Sequence, residues 1–397
     1  LIISHCFYPE TMPINDVCNI LTKKNYEIDV LTGKPNYPLG KIYAGYKLFG
    51  FQNEIHVSGA KIFRVPIIPR YNNSSIAIIL NYFSFIFFAF IYSFSKNFKN
   101  KKYEKIIVFA TSPVIQSIIG ILFKYKLKTK LIIWIQDLWP NSLFLSGYVK
   151  NNFILFFVTK IIKYIYSRSD ILLVQSPDFI EEVKKIYNHK KIIFCPNPAH
   201  KFIDNKNIYQ KDINLKKGLN YLFAGNFGKM QSLEILINSA NDYYKINKKV
   251  NFNFIGDGNI KNKLKKIIKK KNIKNVFLYE RVSQEKMKLI YNQADILILS
   301  LQKNSIISKT IPGKLQTYMS LCKPILCFAD GISKKIVKNS NSGFICDEDN
   351  ADKLIEAFKK FENLSKSKLN ELGKNGLKYY NANFDDTIIY NKLDYLI

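Results

Sequence analysis

The sequence predicts an α/β protein of two tandem, doubly wound parallel-sheet domains facing a cleft. Three observations predict it. The chain has 397 residues, which fits two domains of roughly 150–200 residues rather than one. Short uninterrupted apolar runs alternate with helical segments along its whole length, and strands without polar alternation belong in sheets covered on both faces. The alternation breaks at one polar stretch rich in Asn, Lys and Asp, residues 202–217, and then restarts.

The first domain, 1–201, opens on LIISHCF (1–7), an apolar strand. A helix over 15–24 leads to YEIDVLTG (26–33), and KIFRVP (61–66) reads as the third strand. KIIVFATSP (105–113), LIIWIQDLWP (131–140), DILLVQSP (170–177) and KIIFCPNP (191–198) continue the series. The second domain, 218–379, has strands at 219–226, 250–258, 276–282, 295–301, 324–329 and 342–347. Helices fall between them, followed by more over 351–379. The last segment, 380–397, is aromatic and helical. In such sheets ligands bind beyond the C-terminal ends of the strands.

Composition narrows the classes. The chain is 47% hydrophobic, enough for two cores. Cys6, Cys18, Cys195, Cys322, Cys327 and Cys346 form no CxxC pair and the four His are far apart. Structural zinc and a disulfide framework are therefore not expected, and a reducing cytoplasm is. No signal peptide is visible, and the chain opens as a first strand whose initiator methionine is missing. The formal charge is +30, which attracts polyanions. Lys supplies nearly all of it alongside abundant Asn and Ile, a pattern that AT-rich coding also produces. Arg, the usual reader of base edges, is scarce, so no nucleic-acid partner is expected. An anionic inner membrane leaflet fits at least as well.

IAIILNYFSFIFFAFIYSF (76–94) runs 19 residues without a charge. Its length suits a membrane span, but a span would split one parallel sheet across the bilayer. A buried or membrane-dipping helix is the better expectation, with Lys96, Lys99, Lys101 and Lys102 placed for anionic headgroups. FILFFVTKIIKYIYSR (153–168) adds to that surface or, like the first, packs on the core.

Chemistry concentrates in turns that follow strands. AGNFGKMQSLE (224–234) places Gly225, Asn226, Gly228, Lys229 and Gln231 where a strand gives way to a helix. Glycine lets backbone approach a ligand, and a helix start offers free N–H groups to a phosphate. IGDG (255–258) contributes Gly256, Asp257 and Gly258, and Val282 closes the next strand. TIPGK (310–314) supplies Thr310, Pro312, Gly313 and Lys314. Three anion-friendly turns on one sheet edge suit a nucleoside diphosphate. On the matching edge of the first domain stand Glu10, in FYPE, and Asp137, in QDLWP. Asp137 either orients or deprotonates an acceptor hydroxyl or caps the turn that follows it. Glu10 holds an acceptor or only its loop.

As an ordered set, FYPE (7–10), LTGKPNYPLGKIYAGY (31–46), QDLWPNSLFLSG (136–147), AGNFGKMQSLE, IGDG and TIPGKLQTYMSLCKPIL (310–326) resembles family 4 glycosyltransferases. The branch is the bacterial one that builds surface polysaccharides, including fucosamine and aminosugar transferases of O-antigen and capsule synthesis. The resemblance implies two Rossmann-like domains in the GT-B fold and transfer with retention from a nucleotide sugar, UDP favoured. It implies an acceptor saccharide on polyprenyl diphosphate, held by the first domain. No cofactor and no metal are implied, so Lys229, Lys314 and the helix starts beside them would neutralise the leaving diphosphate. The last helix would cross back to the first domain, and the enzyme would lie on the inner face of the plasma membrane. The sequence departs from the family at several points. Lys309 and Thr317 stand where many relatives carry two glutamates, Asn226 and Gln231 where they carry Arg and Lys. Thr11, Met12 and Pro13 replace a Gly-rich loop, and Gln136-Asp137 a common His. The competing readings are a nucleotide-sugar epimerase of the same architecture and a non-enzymatic basic protein that binds membrane or nucleic acid.

Overall fold

A computed structural model describes residues 1–145, 149, 151–199, 213–303, 306–346 and 350–396. The chain divides into two units, Leu1–Pro198 with Asp386–Ile397, and Ala199–Asp385. Most of the 202–217 stretch, and Ser146 and Gly147, lie outside the described residues. Residues 213–217 are described, and the backbones of Ile213 and Leu215 hydrogen-bond Gln293 on the helix Gln284–Gln293.

In the first unit eight strands form one sheet: β1 (Ile2–Ser4), β2 (Asp29–Gly33), β3 (Gln52–Ile55), β4 (Lys61–Val65), β5 (Lys105–Ala110), β6 (Lys130–Ile135), β7 (Ile171–Val174) and β8 (Ile192–Phe194). Their order is β3-β4-β2-β1-β5-β6-β7-β8, parallel except where β3 pairs antiparallel with β4. The sequence reading missed β3. Its residues, QNEI, alternate half-buried and exposed at the sheet edge, so no apolar run marks it. The direction of winding reverses between β1 and β5, the switch point at which doubly wound sheets bind ligands.

The second unit holds β9 (Leu219–Asn226), β10 (Val250–Asp257), β11 (Val276–Tyr279), β12 (Ile296–Ser300), β13 (Ile325–Phe328) and β14 (Gly343–Cys346). The order is β11-β10-β9-β12-β13-β14, every described pairing parallel. Its switch point lies between β9 and β12. Tyr221, Phe223, Phe252, Phe254, Phe358 and Phe361 lead its core. Strand β11 ends at Tyr279, so Val282 sits in the following loop rather than on the strand.

The C-terminal segment read as one helical element over 380–397 is two pieces. Lys366–Asn383 is one helix of the second unit, and Asp386–Leu396 is another, in the first. Ile389, Leu393 and Leu396 of that last helix enter the same core as Val17, Val30 and Trp134.

The apolar stretch forms the helix Ser75–Ser93, whose start is capped by the Ser74 hydroxyl accepting from the Ala77 N–H. It touches β2 and β4. Strand β4 before it and β5 after it belong to one sheet, so the helix is layered on that sheet. Among the described residues it is the one helix long and apolar enough to cross a membrane by length and composition.

Candidate functional site

The C-terminal edge of the second sheet gathers all three turns named from the sequence. Strands β9 and β10 run in register to their ends, pairing Gly225 with Gly256 and Asn226 with Asp257. At Gly256 (φ +154°) an added Cβ would lie 1.8 Å from the Gly225 carbonyl oxygen, so only glycine permits the two turns to meet there. The turn after β9 is fastened to the end of β12: the Ser300 hydroxyl donates to the Gln231 carbonyl at 2.6 Å, and the Gln302 N–H to that of Met230 at 2.8 Å. Ser232, which precedes the helix Leu233–Tyr244, adopts φ +46°. A left-handed non-glycine residue is a local cost that the hydrogen bonds around it sustain.

The third turn joins through Lys314, the second residue of the helix Gly313–Ser320. Its ammonium donates to Gln231 Oε1 at 2.7 Å and lies 4.1 Å from the centre of the Phe223 ring. It fills the space a Cβ on Gly225 (φ +146°) would need, 2.9 Å away. Among the described residues no carboxylate pairs with it, and burial pushes its pKa down to about 7. A half-buried ammonium without a counter-charge is the costly half of an ion pair. An anion arriving beside it would supply the other half. No side chain caps the start of this helix; the Leu315 N–H already donates to the Pro312 carbonyl at 2.9 Å, which leaves those of Gly313 and Lys314 ahead of it for the same anion.

The other residues of this edge divide by role. Lys229 is exposed on the short turn Lys229–Gln231. Asp257 accepts from the Gly258 N–H at 2.9 Å and pairs with Lys261 at 3.4 Å, which hold its carboxyl below the usual range. It is occupied in shaping its own turn. Asn226 is exposed, its side chain between Gly228 and Gly258. Gly313 has open space where a Cβ would go, and Pro312 and Thr310 are half-buried ahead of the helix.

The first sheet presents its own edge. Glu10 is buried, and its Oε1 accepts the N–H groups of Asn36 and Tyr37 at 2.7 and 2.6 Å while Oε2 accepts that of Phe7 at 3.2 Å. Burial raises its pKa, opposed by those hydrogen bonds. Glu10 therefore clamps the 34–38 loop to the turn after β1, and the loop-holding alternative is the one the geometry favours. The His5 N–H donates to Gln116 Oε1 at 2.7 Å, tying the end of β1 to the segment after β5 across the switch point.

Asp137 follows β6, half-buried. Its Oδ2 accepts from the Ser112 hydroxyl, whose oxygen in turn accepts the Trp139 indole N–H at 3.0 Å. The Trp139 backbone N–H donates to the Asp137 carbonyl, at 3.2 Å. The carboxylate is thus aimed by a Ser–Trp pair at the strand ends, and among the described residues the Ser112 hydroxyl is the group that holds it. Sequence reasoning assigned no role to the side chains of Ser112, Trp139, Phe223 and Ser300. Ser112 and Trp139 carried a signal, each standing directly before a proline at a strand end. Phe223 and Ser300 look like ordinary strand residues and carried none.

Residues 205–379 match the family model described as Glycosyl transferases group 1. That range covers nearly all of the second unit and supports an enzyme of the group 1 glycosyltransferase type. A probable glycosyltransferase, WbjE of Pseudomonas aeruginosa, is 24% identical over 274 residues. The match spans 66% of this chain and 66% of that protein, just under two thirds of its length. Among solved structures, sucrose-phosphate synthase from Thermosynechococcus elongatus superposes with a TM-score of 0.72 at 13% identity, over 100% of this chain and 97% of its own. HepE of Anabaena, solved in complex with UDP and glucose, gives 0.65 at 12% identity, over 100% and 98%. At these identities the likeness is one of fold, and that fold is GT-B.

Proposed function

We propose that the protein transfers a sugar from a nucleotide sugar, a UDP-sugar by preference, to a lipid-linked saccharide in surface polysaccharide synthesis. One observation carries the donor half: a partly desolvated Lys314 ammonium with no carboxylate partner among the described residues, held beside Gln231, the Gly225 backbone and an uncapped helix start. That combination is built for a phosphate-bearing ligand. The UDP in the HepE complex, on the same fold, favours UDP as the nucleotide. The acceptor half rests on Asp137 and on the relationship to WbjE.

In this reading the bond from the sugar's anomeric carbon to the diphosphate breaks, and a bond to an acceptor oxygen forms with retention of configuration. Lys314 and the helix start stabilise charge building on the departing diphosphate, and Lys229 adds a mobile cation from the exposed turn. Asp137 orients the acceptor hydroxyl and takes its proton. The leaving group is neutralised by protein groups, so transfer is expected to proceed in EDTA. The protein acts at the inner face of the plasma membrane.

Titration calorimetry of UDP and GDP in EDTA, into wild type and Lys314→Ala, tests the donor half. UDP binding weakened about tenfold or more by the substitution, roughly 1.4 kcal/mol, is the expected result. Neither nucleotide binding either protein would remove the basis of the reading.

A further inference from the structure

The helix Ser75–Ser93 is inside out. A surface helix of a soluble domain normally turns its polar residues to water. Here the buried face carries Asn81, Ser84, Tyr92 and Ser93 among Ile78, Phe85 and Ala89. Asn81 donates to the Ile68 carbonyl at 2.7 Å and accepts from Arg70 Nε at 2.9 Å, and the Ser84 hydroxyl accepts the Ile68 N–H at 2.9 Å. The outward face is uncharged and apolar, with Ile76 (72% exposed), Leu80, Phe83, Phe87 and Phe90 on it and Phe94 just beyond its end. The helix Ser117–Leu127 lies next to it and touches Asn152–Arg168 on its other side, so the three are neighbours on one face of the sheet. The first turns of Asn152–Arg168 expose Phe153 (69%), Ile154, Phe156 and Phe157. Apolar patches this extensive on a soluble surface mark a docking face.

Cations border the rings. The Lys126 ammonium sits 4.8 Å from the Phe94 ring centre, Lys160 5.1 Å from that of Phe156, and the Arg168 guanidinium 5.2 Å from that of Tyr164. Lys96, Lys99 and Lys163 are exposed alongside. Apolar side chains flanked by snorkelling cations complement an anionic lipid surface. A second copy of this chain, itself at +30, meets the face with like charge.

Both apolar helices connect parallel strands, β4 to β5 and β6 to β7, so both run back against the strand direction. Their N-terminal turns lie at the C-terminal edge of the sheet, the edge of Asp137 and Glu10, and their cationic ends lie at the opposite edge. We infer that this three-helix face docks onto an anionic bilayer, with the outward apolar face of Ser75–Ser93 and the apolar start of Asn152–Arg168 entering the acyl boundary and the Asp137 edge beside it. Docked in this way, the protein meets a lipid-borne acceptor without lifting it from the membrane, a consequence that rests on the proposed function. The docking itself does not rest on it.

Flotation with vesicles of roughly seven parts phosphatidylcholine to three of phosphatidylglycerol tests the inference without any nucleotide present. The proteins are wild type, a Phe83→Ser/Phe87→Ser/Phe90→Ser variant and a Phe153→Ser/Phe157→Ser variant. These rings are exposed, so the thermal midpoint should hold in each. Wild type is expected to float and each variant to bind roughly tenfold more weakly or worse, with UDP affinity unchanged. Three results would each overturn the inference. Wild type fails to float, or the variants float as well as wild type because lysine charge alone drives binding, or wild type is a soluble dimer that the substitutions dissociate. Loss of UDP binding in all proteins with flotation intact would strike the donor reading and leave the docking face standing.

Discussion

Protonation of Lys314 should set the pH dependence of nucleotide binding. The apo pKa is about 7 because burial disfavours the ammonium and, among the described residues, no carboxylate answers it. A bound diphosphate supplies that counter-charge and draws the pKa back toward the ordinary 10.5, so binding takes up a proton. Between pH 7 and 9 the protonated fraction of the apo lysine falls from one half to about one hundredth, and UDP affinity should fall about 50-fold. The terminal phosphate of UDP titrates near 6, below this window, so the slope belongs to the protein. Calorimetry at pH 7, 8 and 9, in buffers of different ionisation heat, reads both affinity and proton uptake. Uptake should rise from about half a proton at pH 7 to about nine tenths at pH 8. Lys314→Met should bind UDP weakly at every pH with no slope and no uptake from this group. A wild-type affinity flat from pH 7 to 9, or a slope that survives in Lys314→Met, refutes the reasoning. The same linkage has a stability side. Between pH 7 and 10.5 the unfolded chain holds a proton that the folded apo chain does not, so this group makes the apo protein more stable as pH rises through that window. Lys314→Met should therefore raise the apo melting temperature at pH 7 while it abolishes tight nucleotide binding.

Other sites give separable outcomes. Gly256→Ala forces a Cβ to 1.8 Å from the Gly225 carbonyl, and chemical denaturation should show a loss of about 3 kcal/mol or more. Gly225→Ala meets only the end of the Lys314 side chain and a strained φ, so it should fold with a modest stability loss and bind UDP roughly tenfold more weakly. Glu10→Ala leaves the N–H groups of Phe7, Asn36 and Tyr37 without their acceptor. Urea unfolding should register a loss of about 1–3 kcal/mol, with UDP affinity unmoved in calorimetry. Asp137→Asn should slow sugar transfer by roughly a hundredfold or more with UDP affinity intact, and equal rates in the two proteins would return Asp137 to a turn-capping role.

The second domain's edge was the more legible of the two. Gly225 and Gly256 stand at the ends of strands that apolar runs locate, Lys314 comes after another, and parallel pairing brings strand ends to one edge whatever lies between them. Strand β3 was not legible, because an edge strand exposed on one side needs no apolar run. The break at 384–385 between two helices was not legible either, since tyrosines stand in the helical pattern on either side of it. Glu10 illustrates another limit. A carboxylate after a first strand reads equally as ligand or clamp, and only the 34–38 loop folded over it settles that three N–H groups consume it.

Local sequence was enough for the alternation of strands and helices, the two-domain division and the glycine-bearing turns, because backbone propensity and apolar runs act over a few residues. Contacts between residues distant in the chain followed different rules. The cradle of Lys314 draws on Phe223, Gly225 and Gln231, all more than 80 residues away, and its depressed pKa exists only once they desolvate it. The same holds for the helix Ser75–Ser93. Its apolar length was plain in the sequence, but which of its faces would turn inward was not. Asn81 and Ser84 had partners waiting at Ile68 and Arg70 in the loop after β4, so these two went in with Phe85, and Phe83, Phe87 and Phe90 were left facing out.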